Sequence, residues 1–283
     1  MAEPRTATTR LLDRLFDYAG LFPPAAQPMR EAVASYARYR DCPQQALLNT
    51  FVVPVARLTE FGDALLATDR ASTSWRLSVL SSDWNVDQKA VCDFQQAENS
   101  AEIISVETRN LADVRAIRQT IDAVYCELSG TSAVTDLEAA LHSLQQSGGC
   151  AKIRMGGLTP DAFPSCAAVA RFLVACRRAG VPFKATAGLH HPLRSERPTT
   201  AAATAPMAVM HGFVNVLAAV SATLDGAAAT EVAAILSHTQ PTAFHDLWST
   251  DARDIRAQFH SIGSCSFAEP VEDLQAMDWL PAA

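Results

Sequence analysis

Short β-branched and aromatic runs alternate with longer amphipathic stretches along most of this chain. Residues 50–55 (Thr-Phe-Val-Val-Pro-Val) form the first strong strand candidate, followed by a helical 58–68. The same order, strand then helix, recurs at 75–80 and 86–96, at 103–107 and 111–121, and at 124–128 and 134–146. It continues through 152–155 and 162–178, then 183–187, then 213–217 and 230–237. Strands alternating with helices of about 10–15 residues predict βαβ units and a parallel sheet. One further strand closes a (β/α)8 barrel, and 243–248 and 260–267 are its candidates, with a helical 251–259 between them. Ahead of the first strand, helical stretches at 11–18 and 29–40 flank a loop containing Ala19-Gly-Leu-Phe-Pro-Pro24. They predict an N-terminal helical extension, residues 1–45, packed on a single barrel domain that occupies 46–283. An open doubly wound sheet is the alternative. Residues 193–210, rich in Ala, Thr and Pro, show no period and read as a functional loop or a surface insertion.

Parity along each strand sorts inward from outward side chains. If Phe183, Ala185 and Ala187 face the helices, Lys184 and Thr186 point into the barrel. By the same rule Lys152 and Arg154 share a face, as do Tyr125 and Glu127, Ser105 and Glu107, and Phe213 and Asn215. Polar groups then gather at the C-terminal ends of the strands, where active sites of this architecture sit. A lysine inside a strand is costly unless it is paired or used, and lysine becomes a nucleophile when burial or neighbouring cations lower its pKa. Glu127 with Arg154 also fits a structural ion pair, and Lys184 a satisfied counter-ion. His190 and His191 are adjacent, so on an extended backbone they point apart and do not share a metal. His190 keeps the parity of Lys184 and suits proton transfer near pH 7. His211 lies before the predicted seventh strand and reads as structural.

Composition narrows the partners. The 283 residues are 49% hydrophobic and 19% charged, enough for a sizeable core. A net charge of −7 without a basic tail argues against nucleic acid. No apolar run is long enough to span a bilayer, and MAEPRTATTR lacks the apolar segment of a secretory signal. Seven scattered cysteines without a Cys-x-x-Cys pair fit reduced thiols, so a cytoplasmic location is expected. There is no GxGxxG and no Gly-rich loop followed by Lys-Ser/Thr, so NAD, flavin and ATP are not expected. The expected partner is a small-molecule substrate, with assembly into a homo-oligomer left open.

Lys184-Ala-Thr-Ala-Gly188 resembles the Lys-Thr-Ser-Thr-Gly signature of deoxyribose-phosphate aldolases. The likeness implies a (β/α)8 barrel with a Schiff-base lysine on the sixth strand, where the motif falls by the count above. That family carries a second lysine on the next strand, and His211-Gly-Phe-Val-Asn-Val-Leu217 has none. Lys152 or Arg154 would then have to depress the Lys184 pKa. Gly263-Ser-Cys-Ser-Phe267 is similar to the Gly-Ser-x-x-Phe run of type I dehydroquinases, also Schiff-base barrels. DYAGLFPPA, KATAGLHHP and GSCSFAEP together resemble an uncharacterised bacterial family, which implies no activity.

These readings converge on a lyase of the class I aldolase kind acting on a small carbonyl or phosphorylated metabolite, with no cofactor. Lys184 is the expected imine-forming nucleophile. Lys152 and Arg154 hold the anionic part of the substrate, and Asn215, Thr186 and His191 complete its binding. Glu127, Glu107 or His190 moves protons. Two rivals remain: a divalent-metal hydrolase or isomerase with Glu107, Glu127 and His190 as ligands, and a non-catalytic protein that binds anionic metabolites.

Overall fold

The computed structural model describes residues 10–67, 74–97, 100–128, 134–249 and 251–281. Eight parallel strands close a barrel. In chain order they are β1 (Phe16–Tyr18), β2 (Leu48–Pro54), β3 (Trp75–Leu80), β4 (Ala101–Thr108), β5 (Ala123–Leu128), β6 (Cys150–Arg154), β7 (Phe183–Thr186) and β10 (Phe259–Ser264). β1 pairs with β2 on one side and β10 on the other, so no edge is left and the open-sheet alternative fails.

Six strands, β2 to β7, lie where the sequence places them, but the count is shifted by one. The predicted extension contributes a strand: Phe16–Tyr18 is β1, not the end of a helix. Three residues are too few to show a period, and buried Leu11, Leu12 and Leu15 carry a helix-like spacing straight into Phe16. The predicted seventh strand, 213–217, is instead the start of helix α7 (Phe213–Leu224). Nearly every side chain in its first two turns is buried, and a helix buried all round shows the same unbroken apolar run as a core strand. Of the two candidates for the last strand, 260–267 overlaps β10, while 243–248 lies in a 3-10 stretch, Pro241–Ser249.

Helices α1 (Met29–Tyr39), α2 (Leu58–Leu66), α3 (Trp84–Gln96), α4 (Val114–Ile117), α5 (Val134–Ser147) and α6 (Cys166–Ala179) follow the first six strands. α6 starts later than its apolar pattern because Ser165 caps it, accepting a hydrogen bond from the Ala168 N–H, and Gly180 ends it in the left-handed conformation. After α7 come α8 (Ala229–Ser237), α9 (Ala252–Gln258) and α10 (Ala268–Ala276). The segment 193–210 is neither structureless nor long-looped: β8 (Ser195–Pro198) and β9 (Met207–Met210) pair antiparallel as a two-stranded ribbon.

The apolar core lies between strands and helices, where Phe16, Val79, Val106, Val124, Ile153, Ala185 and Ile262 are buried. The barrel interior is different. Layers of Val, Ile and Leu usually fill it, but here Asp17, Ser78, Ser105, Glu107, Lys152, Lys184 and Ser261 are buried.

Candidate active site

A charge inside a barrel survives only if its partners replace the water it gives up. Lys184, 1% exposed, donates to Asp17 Oδ2 at 2.5 Å and to Glu107 Oε1 at 2.7 Å. On the neighbouring strand Lys152 reaches the other oxygen, Glu107 Oε2, at 2.7 Å, and Glu127 Oε2 at 2.9 Å. The pairing is set by register: Lys152 stands directly beside Lys184 across β6 and β7, and beside Glu127 across β5 and β6. Hydroxyls fill the remaining acceptor positions. Ser261 Oγ donates to Asp17 Oδ2 at 2.5 Å, and Thr50 Oγ1 and Asn49 Nδ2 each donate to Asp17 Oδ1 at 2.7 Å. Ser78 Oγ donates to Glu107 Oε1 at 2.8 Å and accepts from Ser105 Oγ. The result is one column along the barrel axis, Lys152–Glu107–Lys184–Asp17.

The column fixes protonation. Burial raises the Glu107 pKa, but Lys152 and Lys184 together outweigh it and hold the carboxyl well below the usual range. Burial disfavours the Lys184 ammonium, yet Asp17 and Glu107 overcome that and keep its pKa above that of an ordinary lysine. Glu127 is likewise pushed up by burial and brought below normal by Lys152 and the nearby arginines. Lys184 also lies 5.2 Å from the centre of the Tyr125 ring. Burial raises the Tyr125 phenol, whose oxygen meets His260 Nδ1 at 2.9 Å.

A cavity of about 280 Å3 opens at the C-terminal ends of the strands. Lys152 and Glu107 are at its floor, and Arg154, Thr186 and His190 line it higher up. Lys184 and Glu127 point into the barrel but do not line this cavity. Lys184 instead faces a second space, about 300 Å3, at the N-terminal side of the column, shared with Asp17, Asn49 and Tyr125. At the rim Glu127 Oε1 lies 3.4 Å from both Arg154 Nε and Arg109 Nε, so the two guanidiniums flank one carboxylate.

The three sequence runs noted above meet at this mouth. Phe22, Pro23 and Pro24 come from the first, Ala187, Gly188 and His190 from the second, and Gly263 and Cys265 from the third. At the end of β7, Ala187 (φ 60°) and Gly188 (φ 68°) both adopt the left-handed conformation. Glycine alone fits the second position, because a Cβ there would lie 2.8 Å from Gly156 Cα.

No family model matches this chain, and no curated protein matches it.

Other candidates fall elsewhere. Asn215 is on α7, away from the barrel interior; its Nδ2 donates to the carbonyls of Ile235 and His238, and its Oδ1 accepts from the Arg194 N–H. It ties loop backbone together and cannot face a substrate. His190 and His191 do not point apart. Their Nδ1 atoms reach Glu269 Oε2 at 3.0 Å and Asp273 Oδ2 at 2.6 Å, carboxylates one turn apart on α10. His191 thus pins the loop to that helix, while His190 also borders the cavity. His211 is fully buried and its Nε2 meets the Pro164 carbonyl. Among the described residues, no cluster of three His, Cys, Asp or Glu side chains has the geometry to hold a metal. The proposed metal carboxylates, Glu107 and Glu127, converge on Lys152 instead. Again among the described residues, the cysteines are unpaired and no helix is long and apolar enough to cross a membrane.

Asp17 and Arg109 were absent from the sequence candidates. Asp17 carried a signal all the same: a lone carboxylate inside the apolar run Leu15-Phe-Asp-Tyr18.

Proposed function

We propose that this barrel is a lyase of the imine-forming kind, acting on a small anionic carbonyl metabolite, with Lys152 rather than Lys184 as its nucleophile. The observation that carries this reading is the placement of two lysines on adjacent strands around one carboxylate, with only Lys152 at the floor of the open cavity. Lys184 sits beneath Glu107, held as an ammonium by two carboxylates. Its role is to keep Glu107 ionised and in place. By the corrected count Lys184-Ala-Thr-Ala-Gly188 lies on the seventh strand and not on the sixth, where deoxyribose-phosphate aldolases carry that signature, so the motif likeness does not support the reading; the support is the pair Lys152 and Lys184 on strands six and seven.

The chemistry follows from the contacts. The Lys152 ammonium passes a proton to Glu127 Oε2, 2.9 Å away. The free amine then attacks the substrate carbonyl carbon, and loss of water gives an iminium that accepts electrons from the bond being broken. An anionic group drawing Arg154 away from Glu127 removes one of the cations that weaken Glu127 as a base, so substrate binding and proton transfer support each other. His190 is placed to move protons at the cavity wall.

Borohydride with a panel of aldehydes and keto acids tests this. Wild type and Lys184→Met should gain adduct mass on the peptide bearing Lys152, and Lys152→Met should gain none. No adduct with any carbonyl, or an adduct on Lys184, defeats the assignment. One observation favours a second reading, anion binding without catalysis: Lys152 is doubly paired at rest. Saturable binding of carbonyl anions with no adduct would select it.

A further inference from the structure

The cavity walls differ sharply from its floor. Lys152, Glu107 and Arg154 supply its ionic groups at the floor and toward the rim, while Phe22, Pro23, Pro24, Leu80, Phe163 and Met210 make up much of the remainder. The hydroxyls among the lining side chains are those of Thr186 and Thr199. We infer that the substrate is an oxo acid with an apolar body, and not a polyhydroxylated sugar phosphate; this rests on the imine reading only for what happens at Lys152.

Three features support the inference. First, the apolar wall is built in. A Cβ on Gly156 would fall 2.4 Å from Phe163 Cε1, so the Phe163 ring lies directly against the glycine pair Gly156 and Gly188. Phe163 and Phe22 are only partly buried, leaving aromatic surface free to cover a ligand. Second, desolvated sugar hydroxyls need partners, and side chains such as Pro23, Leu80 and Met210 offer none. Third, size fits. At about 280 Å3 the cavity lies at the small end of ligand pockets, which run from about 300 Å3 upward. That suits a compact aryl or branched-chain acid. Arg154 follows Lys152 by two residues on the same face of β6, about 6.6 Å further along the strand, and its guanidinium takes the carboxylate.

Binding to the full-length protein, measured by calorimetry, separates the classes. Phenylpyruvate and 4-methyl-2-oxopentanoate should bind at least about tenfold more tightly than pyruvate, as expected for added apolar groups in an apolar pocket, and more tightly than ribose 5-phosphate. Phe22→Ser and Phe163→Leu, made separately so that a folding defect in one does not decide the matter, should narrow that preference by weakening the two apolar acids more than pyruvate. Equal or tighter binding of ribose 5-phosphate overturns the inference, as does no measurable binding of any of these at millimolar concentration. Borohydride trapping run in parallel keeps the two ideas apart. Selective binding without an adduct supports this inference and defeats the imine reading. Adducts that form without any preference do the reverse.

Discussion

Lys184→Met tests the axial column most directly. Removing one partner of a buried ion pair costs about 3–5 kcal/mol, chiefly because the other charge is left buried and unpaired. Two carboxylates lose a partner here, but neither is abandoned. Asp17 keeps donors from Ser261, Thr50 and Asn49, and Glu107 keeps Lys152 and Ser78. The lower end, about 3 kcal/mol, is therefore expected. At about 2–4 °C per kcal/mol for a domain near this size, the Tm should fall by roughly 6–12 °C. Glu107 adds a pH signature. Its folded pKa is depressed, so its contribution is present above the unfolded value of about 4.3 and lost as pH falls through the folded value. Lys184 has a raised pKa, so its contribution is present below about 10.4 and lost as pH rises through the folded value. The gap between wild type and Lys184→Met should thus be widest between about pH 5 and 10 and should shrink in acid. Urea unfolding at several pH values measures it. A loss under about 1 kcal/mol at neutral pH, or a gap that does not change in acid, refutes the column as a coupled unit.

Pairing Lys184→Met with Asp17→Asn should recover part of the loss, with a coupling of about 1 kcal/mol or more in a double-mutant cycle, because the carboxylate no longer needs its cation. Asn215→Leu should cost about 1–3 kcal/mol by removing the buried amide that joins the carbonyls of Ile235 and His238 to the Arg194 N–H, while leaving trapping at Lys152 intact; reduced trapping in folded protein would return Asn215 to the site. Gly188→Ala combines a left-handed φ with a clash on Gly156 Cα, so it should cost more than about 1–2 kcal/mol and weaken ligand binding at the mouth, both readable by calorimetry. Ser165→Ala should remove a helix cap for about 1 kcal/mol without touching the site, giving a control for stability loss alone.

The strands from β2 to β7 were legible because each is a short apolar run, followed by a helix in all but the last, and parity placed Lys152, Lys184 and Glu107 inward. What the pattern hid has physical causes. β1 is three residues long and its leucines keep a helix-like spacing, so Asp17 looked like part of a helix. Val214, Val216 and Val220 gave α7 the composition of a strand, since full burial erases the amphipathic face. Each error moved a charge. With β1 unseen, Lys184 lost its deepest counter-ion and the strand count slipped by one, which put Lys184 rather than Lys152 on the sixth strand. Contacts such as Asp17 with Lys184 join residues far apart in sequence, and no local pattern records them.

The position of β1 between β2 and β10 has a consequence for how the chain reaches this state. The seam between β1 and β10 joins the two most distant strands of the barrel, and Asp17 bonds to Lys184 and Ser261 across it. During synthesis β1 emerges long before β7 and β10, and although Asn49 and Thr50 of β2 can serve Asp17 Oδ1, nothing replaces the water around Oδ2 until those two strands follow. Contacts of such sequence separation form late, after their loop-closure entropy has been met. The barrel should therefore zip from β2 towards β7 and seal last at this seam. Pulse-labelled hydrogen exchange during refolding would show amides of β1 and β10 gaining protection together, after those of β3 to β5.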